Sequence, residues 1–360
     1  MRASLLTAIA VLALTPARGA QLPRPMPNKG LTEVEGLRVG HHTLTERPTG
    51  CTVVLVDGAG AVGGVSQRGA APGTRETNLL DPLNLVDRVN AIVLSGGSAF
   101  GLDAAQGVVR YLEERKIGWN VGAAGVVPIV PAAILFDLGF GGDARIRPTA
   151  DCGYRAAGAA TNAAVAEGNV GAGAGATVGK MAGRELAMKG GIGSAAIRLP
   201  NGMVVAALAA VNAVGDVIDP ASGRVVAGAR TPNGKALADA RTLLRDGSVL
   251  KAAVPRVAEN TTLAIVATNA RLSKTEVNRV ALMADDGLAR AIAPSHTMGD
   301  GDTVFALATG RWTGQADQSI VGALAAEALA EAIVRAAVQA KTLGGLPAAV
   351  DFGSIPTRFK

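Results

Sequence analysis

Short apolar runs, each closed off by turn-forming residues, recur along this chain and predict buried strands. The legible ones are Thr52–Val56, Ala91–Leu94, Ser194–Leu199, Met203–Val211, Leu263–Thr268 and Thr303–Ala308. Segments with helical spacing alternate with them. Asp103–Glu114 follows the Gly-rich turn Ser95-Gly96-Gly97-Ser98. A second helix is predicted from Ser273 to Ile292; it opens with Ser273-x-x-Glu276, a capping box, and puts Val277, Val280, Ala281, Ala284 and Leu288 on one face. Ala323–Ala340 is an Ala-rich helix near the end. Strands grouped with helices in this mixture argue α/β layers rather than an all-α or all-β protein. Pro220–Gly234 and Arg245–Ala258 read as loops. The second runs into Asn260-Thr261-Thr262 and predicts an accessible chain at that point.

At 360 residues the chain could form one large domain or two, and 49% hydrophobic residues supply a sizeable core. Aromatics are only 3%, whereas glycines number 47, a bias that permits close backbone packing. Residues 1–20 read as a removable secretory signal: Arg2, an apolar stretch from Leu5 to Leu14, Pro16, then the small-residue cut site Ala17-Arg18-Gly19. That stretch is too short to span a bilayer, and the mature chain is expected to be periplasmic or secreted and off the membrane. Losing Arg2 and Arg18 lowers the formal charge from +6 to +4. With few aromatics and no dense Lys/Arg block, a nucleic-acid partner is not expected. Cys51 and Cys152 fit no zinc spacing; pairing in an oxidising compartment and simple core burial both remain open.

The candidate chemistry starts at Thr261. Breaking the Asn260–Thr261 bond would give Thr261 an α-amine beside its own hydroxyl. With a reference pKa of about 7.7–8.0, that amine can act as the hydroxyl's base. No histidine is required, which suits a chain with three. Two plainer readings compete: Asn-Thr-Thr is also a glycosylation pattern, and Thr pairs are common in strands. Downstream, Asp300-Gly301-Asp302 leads into a predicted strand, where alternate residues share a face, so both carboxylates can address one point. His296 lies close by in sequence, yet one His and two Asp are weak grounds for a metal, and none is expected. The adjacent His41-His42 would point to opposite faces of a strand. The run Gly171–Lys180 misses the P-loop pattern, since Ala174 stands at its first glycine and Met181 at its Ser/Thr. Lys180, a lone cation ending that run, is either a surface lysine or a charge aimed at a site. Ser98 sits where an α/β-hydrolase would put its nucleophile, but Phe100 replaces the required glycine.

Taken in order, several blocks resemble the self-cleaving N-terminal-nucleophile hydrolases of the L-aminopeptidase/D-esterase family, which includes β-peptidyl aminopeptidases, a pantetheine hydrolase and nylon-oligomer hydrolases. They are Gly50-Cys-Thr-Val-Val-Leu, Gly73-Thr-Arg-Glu-Thr-Asn, Ile92-Val-Leu-Ser-Gly-Gly-Ser-Ala-Phe-Gly-Leu, Pro128-Ile-Val-Pro-Ala-Ala-Ile-Leu-Phe-Asp-Leu, the Gly/Ala run to Lys180, Ala210-Val-Asn212, Asn260-Thr-Thr and Asp300-Gly-Asp302. The resemblance spans about residues 34 to 340. It implies a four-layer αββα sandwich, with two mixed sheets between helical layers. It implies cleavage after Asn260, Thr261 as nucleophile, Asp300 and Asp302 as its carboxylate partners, Asn212 as oxyanion donor and Lys180 near the nucleophile. Phe136 stands beside the substrate where nylon-oligomer hydrolases carry Tyr. The serine-type aminopeptidases of the family have Ser as nucleophile and Ser-Gly-Glu/Asp at the carboxylate pair; this chain has Thr and Asp-Gly-Asp.

The expectation is therefore one self-processed hydrolase domain, residues 21–360, cut into an α chain (21–260) and a β chain (261–360), assembled as a homo-oligomer of αβ units. It would need no cofactor and would hydrolyse small peptides, amino-acid amides or ω-amino-acid amides. Alternatives are an endo-acting 6-aminohexanoate-oligomer hydrolase, an acyl transferase and a processed binding protein without catalysis.

Overall fold

The computed structural model describes residues 28–248 and 260–359, so the leader expected at residues 1–20 and most of the predicted loop Arg245–Ala258 lie outside the described residues. All six predicted strands form, within two residues of their expected bounds. They fall into two sheets. The first runs in the order Leu37–Thr43, Gly50–Val56, Ala91–Ser95, Ala132–Ile134, Thr74–Arg75. The second runs Ile192–Arg198, Val204–Asn212, Thr261–Thr268, Thr303–Ala308, Ala61–Gln67, Arg88–Val89. Both are mixed: Ala91–Ser95 lies parallel to Ala132–Ile134, and Thr261–Thr268 parallel to Thr303–Ala308.

The strand Val204–Asn212 shows why the runs are continuously apolar. Val204, Ala206, Leu208 and Ala210 point into the core between the sheets, with Leu263, Ile265, Phe305 and Leu307 beside them and Val54, Ile92 and Leu94 opposite. Val205, Ala207, Ala209 and Val211 point the other way, toward the helix Gln318–Gln339, while the helix Lys274–Ala284 covers the strands Thr303–Ala308 and Ala61–Gln67 of the same sheet. A strand covered on both faces has no polar side to show. The first sheet is covered in turn by the helices Ala104–Glu113 and Ala150–Gly158. The result is the αββα sandwich that the resemblance implied. Among the described residues no helix is long and apolar enough to cross a membrane.

The structure departs from these expectations at four points. The predicted helix Ser273–Ile292 breaks at Asp285 into Lys274–Ala284 and Asp286–Ala291; the Asp285 carboxylate is buried there and accepts a hydrogen bond from the Ser66 hydroxyl. Its capping box forms as expected, Ser273 N–H donating to Glu276 at 2.7 Å and Glu276 N–H to Ser273 at 3.3 Å. The last helix starts earlier than its Ala-rich stretch, at Gln318, because Asp317 accepts from Ser319 N–H at 2.7 Å. The predicted loop Pro220–Gly234 contains a short strand, Val225–Ala227. A further strand, Ala61–Gln67, went unread because Gly63 and Gly64 interrupt it; a Cβ at Gly64 would sit 2.8 Å from the Asn278 backbone, so the helix above requires the gap.

Cys51 and Cys152 form a disulfide with Cα atoms 6.3 Å apart, inside the core between the first sheet and its helices, so pairing and burial occur together. The glycines permit equally close approaches elsewhere. At Gly193 a Cβ would lie 2.1 Å from Ala332 O and 2.3 Å from Ala336 N of the long final helix. Gly193→Ala should therefore push that helix off the sheet and destabilise the protein by about 1–3 kcal/mol, read as a lower denaturant midpoint.

Candidate active site

Thr261 is the first residue of a strand that is buried at every position. Its neighbour across the antiparallel pair is Asn212, the last residue of its own strand. One residue earlier, Asn260 forms a parallel bridge with Asp300. These two pairings draw the Asn260–Thr261 peptide into the sheet end, leaving Asn260 9% and Thr261 4% exposed. The accessible chain expected at this bond is thus corrected: strand pairing overrides the loop-like approach. Burial also argues against the glycosylation reading.

The carbonyl of Asn260 is held from two sides. Gly301 N–H donates to its oxygen at 2.9 Å, and the Thr261 hydroxyl contacts the same oxygen at 2.5 Å. Asp300 and Asp302 are both 2% exposed. Asp302 Oδ1 accepts from Thr262 N–H at 2.7 Å, and its Oδ2 from His296 N–H at 3.0 Å. Asp300 Oδ2 accepts from Thr297 N–H at 2.7 Å. Burial, then the neighbouring Asp302, pushes the Asp300 carboxyl above its ordinary range, while Thr297 and the Lys180 charge pull it back. Of the two carboxylates, Asp302 reaches the backbone beside Thr261, at Thr262 N–H, whereas Asp300 binds Thr297 on its own turn.

Asn212 is fixed on its own side. Its Oδ1 accepts from Thr177 N–H at 3.0 Å and from Lys180 Nζ at 2.9 Å, and its Nδ2 donates to Phe136 O at 2.9 Å. Lys180 also binds the Asn212 carbonyl at 2.9 Å, so its ammonium is turned to Asn212. The Gly/Ala run delivers it: Gly179 takes φ +74°, and a Cβ there would meet Gly228 C at 2.0 Å. Phe136, Thr177 and Lys180 then line a cavity of about 270 Å³, shared with Phe140, Arg184 and Glu185. Its floor is held by a buried ion pair, Arg47 to Asp137 at 2.8 Å, with Thr49 donating to the other Asp137 oxygen at 2.6 Å.

Two candidates stay outside this cluster. Ser98 lies on the first sheet's turn, its N–H donating to Leu135 O at 3.0 Å, with none of its described hydrogen bonds reaching a histidine or carboxylate. His41 pairs with Thr52 at 2.9 Å, and burial lowers its pKa to about 4. Sequence reasoning missed the Gly301 N–H, a backbone group with no side-chain signal, and Thr177, whose N–H and hydroxyl both donate to Asn212 Oδ1, at 3.0 and 3.3 Å. It also missed Asp285, whose burial follows from the helix break.

The profile of peptidase family S58 matches residues 29–349. The chain belongs to peptidase family S58. It is 44% identical over 356 residues to an uncharacterised aminopeptidase of Mycobacterium leprae, covering 89% of this chain and 93% of that protein. It is 30% identical over 321 residues to a 6-aminohexanoate-oligomer endohydrolase of Kocuria sp., covering 84% of each. A Burkholderia sp. β-aminopeptidase shares the fold with a TM-score of 0.67 at 24% identity, over 93% of this chain and 94% of that one. So does the L-aminopeptidase D-Ala-esterase/amidase of Ochrobactrum anthropi, described as a variant of the Ntn hydrolase fold, with a TM-score of 0.66 at 19% identity over 91% and 92%. This S58 peptidase is accordingly an aminopeptidase-like hydrolase of amide bonds.

At Gly301 the S58 site leaves no room for a side chain beside Thr261. A Cβ there would lie 2.8 Å from Thr261 Oγ1 and 2.7 Å from Ala71 O. Gly301→Ala should displace the Thr261 hydroxyl and lower turnover of an aminoacyl p-nitroanilide by about 10²-fold, with the fold retained by circular dichroism.

Proposed function

We propose that this protein is an autoproteolytically activated amide hydrolase with Thr261 as its N-terminal nucleophile, acting on small peptides, amino-acid amides or ω-amino-acid amides. The observation that carries the reading is the Asn260 carbonyl, contacted at one oxygen by both the Thr261 hydroxyl and Gly301 N–H within a buried sheet end.

In maturation, Thr261 Oγ1 attacks the Asn260 carbonyl carbon and the C–N bond breaks. The hydroxyl proton passes to the departing amine, leaving an ester on Thr261. Gly301 N–H stabilises the oxyanion that forms on the way. Water then hydrolyses the ester, leaving a carboxylate on Asn260 and a free amine on Thr261. In turnover that amine takes the hydroxyl's proton, Thr261 attacks the substrate carbonyl, and the proton is returned to the leaving amine before water releases the acyl group. Asn212 supplies a neutral N–H donor to the oxyanion; Lys180 and Thr177, by holding its Oδ1, set which way the amide faces. Asp300 and Asp302 hold the Thr261 ammonium or amine in place. The cavity beside Phe136 takes the substrate.

An endo-acting polyamide-oligomer hydrolase is the second reading, favoured by the Kocuria relative's name and by Lys180 at the site. Export to an oxidising compartment is part of the proposal, supported by the leader-like residues 1–20 and the Cys51–Cys152 disulfide.

Purified active protein should run as two associated fragments, residues 21–260 and 261–360, of about 24 and about 10 kDa, held together by their shared core. N-terminal sequencing of the smaller should read Thr-Thr-Leu-Ala. Thr261→Ala should remain one chain and show no turnover, whereas Thr261→Ser should retain some of both; an active, uncut Thr261→Ala removes the reading.

The carboxylates give a separate pH test. A nearby anion stabilises an ammonium, so Asp302→Asn should lower the Thr261 amine's pKa. The acidic limb of kcat/KM, which reports the free enzyme's base, should then move to lower pH. A limb that stays in place would leave Asp302 only a structural acceptor for the Thr262 and His296 N–H groups.

A further inference from the structure

Behind Asp302 lies a line of charges that the mechanism above leaves unused. His296 sits on the turn before Asp300, with its ring Nδ1 3.0 Å from Asp302 Oδ2 and its Nε2 3.9 Å from Asp285 Oδ1. The ring is mostly buried, its side chain 18% exposed. His296 Nε2 and Asp285 Oδ1 are both buried and make no hydrogen bond in the structure, so each faces the other as its electrostatic complement. Asp285 is held on its far side by the Ser66 hydroxyl and by Arg68 at 3.6 Å, and Arg68 also reaches Asp286 at 3.5 Å. The backbone of His296 adopts φ +57°, which places both its N–H and its ring on the same Asp302 oxygen. A left-handed backbone at a residue other than glycine is uncommon and points to a constraint that the surroundings enforce.

The groups facing His296 are thus Asp302 and Asp285, with Arg68 beyond and Asp300 on its own turn. The two carboxylates nearest to it favour its charged form; burial and Arg68 oppose them, and the ring's pKa is raised. Asp285 is itself pushed up to about 6 by burial. A cation behind Asp302 has a consequence at Thr261. Two carboxylates beside an amine stabilise its ammonium, which is useless as a base. A positive charge on the far side of one carboxylate offsets that effect.

We infer that His296 is a positioning residue that acts through Asp302, limiting how strongly that carboxylate holds a proton on the Thr261 amine. The inference rests on the reading of Thr261 as an N-terminal nucleophile whose amine is the base.

The test is the pH dependence of kcat/KM for an aminoacyl p-nitroanilide with fully processed protein. Asn tolerates a left-handed backbone, so His296→Asn keeps the turn and its N–H while removing the ring charge. It should move the acidic limb to higher pH, opposite to Asp302→Asn, by about one unit, costing roughly tenfold at neutral pH and recovering at alkaline pH. In an Asp302→Asn background the group through which the ring acts carries no charge, so the same substitution should add no displacement. A loss equal at every pH, an unmoved limb, or a full displacement in the Asp302→Asn background would overturn the inference. If His296→Asn does not accumulate, His296→Gln carries the same expectations. Thr261→Ala, measured alongside, separates the two levels: activity there defeats the nucleophile reading, whereas an inactive Thr261→Ala with an unmoved His296 limb defeats only the role of His296.

Discussion

The pairing of Asn212 with Thr261, and of Asn260 with Asp300, is the constraint on which the rest of the site depends. These pairings close the end of the second sheet around one peptide bond. Antiparallel pairing puts a polar amide beside Thr261, and parallel pairing puts two carboxylates and the Gly301 N–H on its other flank. Neither set of groups could approach so closely if the segment before Thr261 were an ordinary exposed loop. Burial also removes competing water from the Asn260 carbonyl, so a single backbone donor there counts for more than it would at the surface.

Charge is expensive in such a setting, and the structure offsets it locally. Asp300 and Asp302 accept backbone N–H groups from Thr297, Thr262 and His296, and Lys180 lies within electrostatic reach of Asp300. On the cavity side, Asp137 is matched by Arg47 and bonded by Thr49 and Gly97. That cluster holds the segment whose Phe136 carbonyl fixes Asn212. A fully buried lysine beneath the same wall, Lys189, is held by the carbonyls of Ala174 and Ala176 and by the Phe140 ring, and burial lowers its pKa to about 7. Each charged group near the site is therefore also a strut, and removing one would leave its partners buried and unsatisfied.

Small residues make this density possible. The abundance of glycine and alanine, with few aromatics, lets the final helix rest on Gly193 and lets Lys180 arrive through a run in which a side chain at Gly179 would strike the facing backbone. A larger-residue core would separate the layers and open the seam at Thr261.

How much of this was legible in the sequence follows from the range of each interaction. Strands such as Val204–Asn212 declare themselves because burial on both faces demands an unbroken apolar run, and Ser273-x-x-Glu276 declares a helix start because the capping bonds are local. Thr261, Asp300, Asp302, Asn212 and Lys180 were nominated by residue type and motif order, and the chain brings them to one sheet end. The sequence alone could not say that the Asn260–Thr261 bond is buried, that Gly301 N–H meets the Asn260 carbonyl, that Cys51 meets Cys152, or that Asp285 breaks a helix to face His296. Those depend on contacts between residues far apart in the chain or on backbone groups that every residue possesses. Local pattern determined the elements and the chemically capable side chains; only the tertiary pairing of strands decided which of them share a site, because distance in space is set by sheet register rather than by order along the chain.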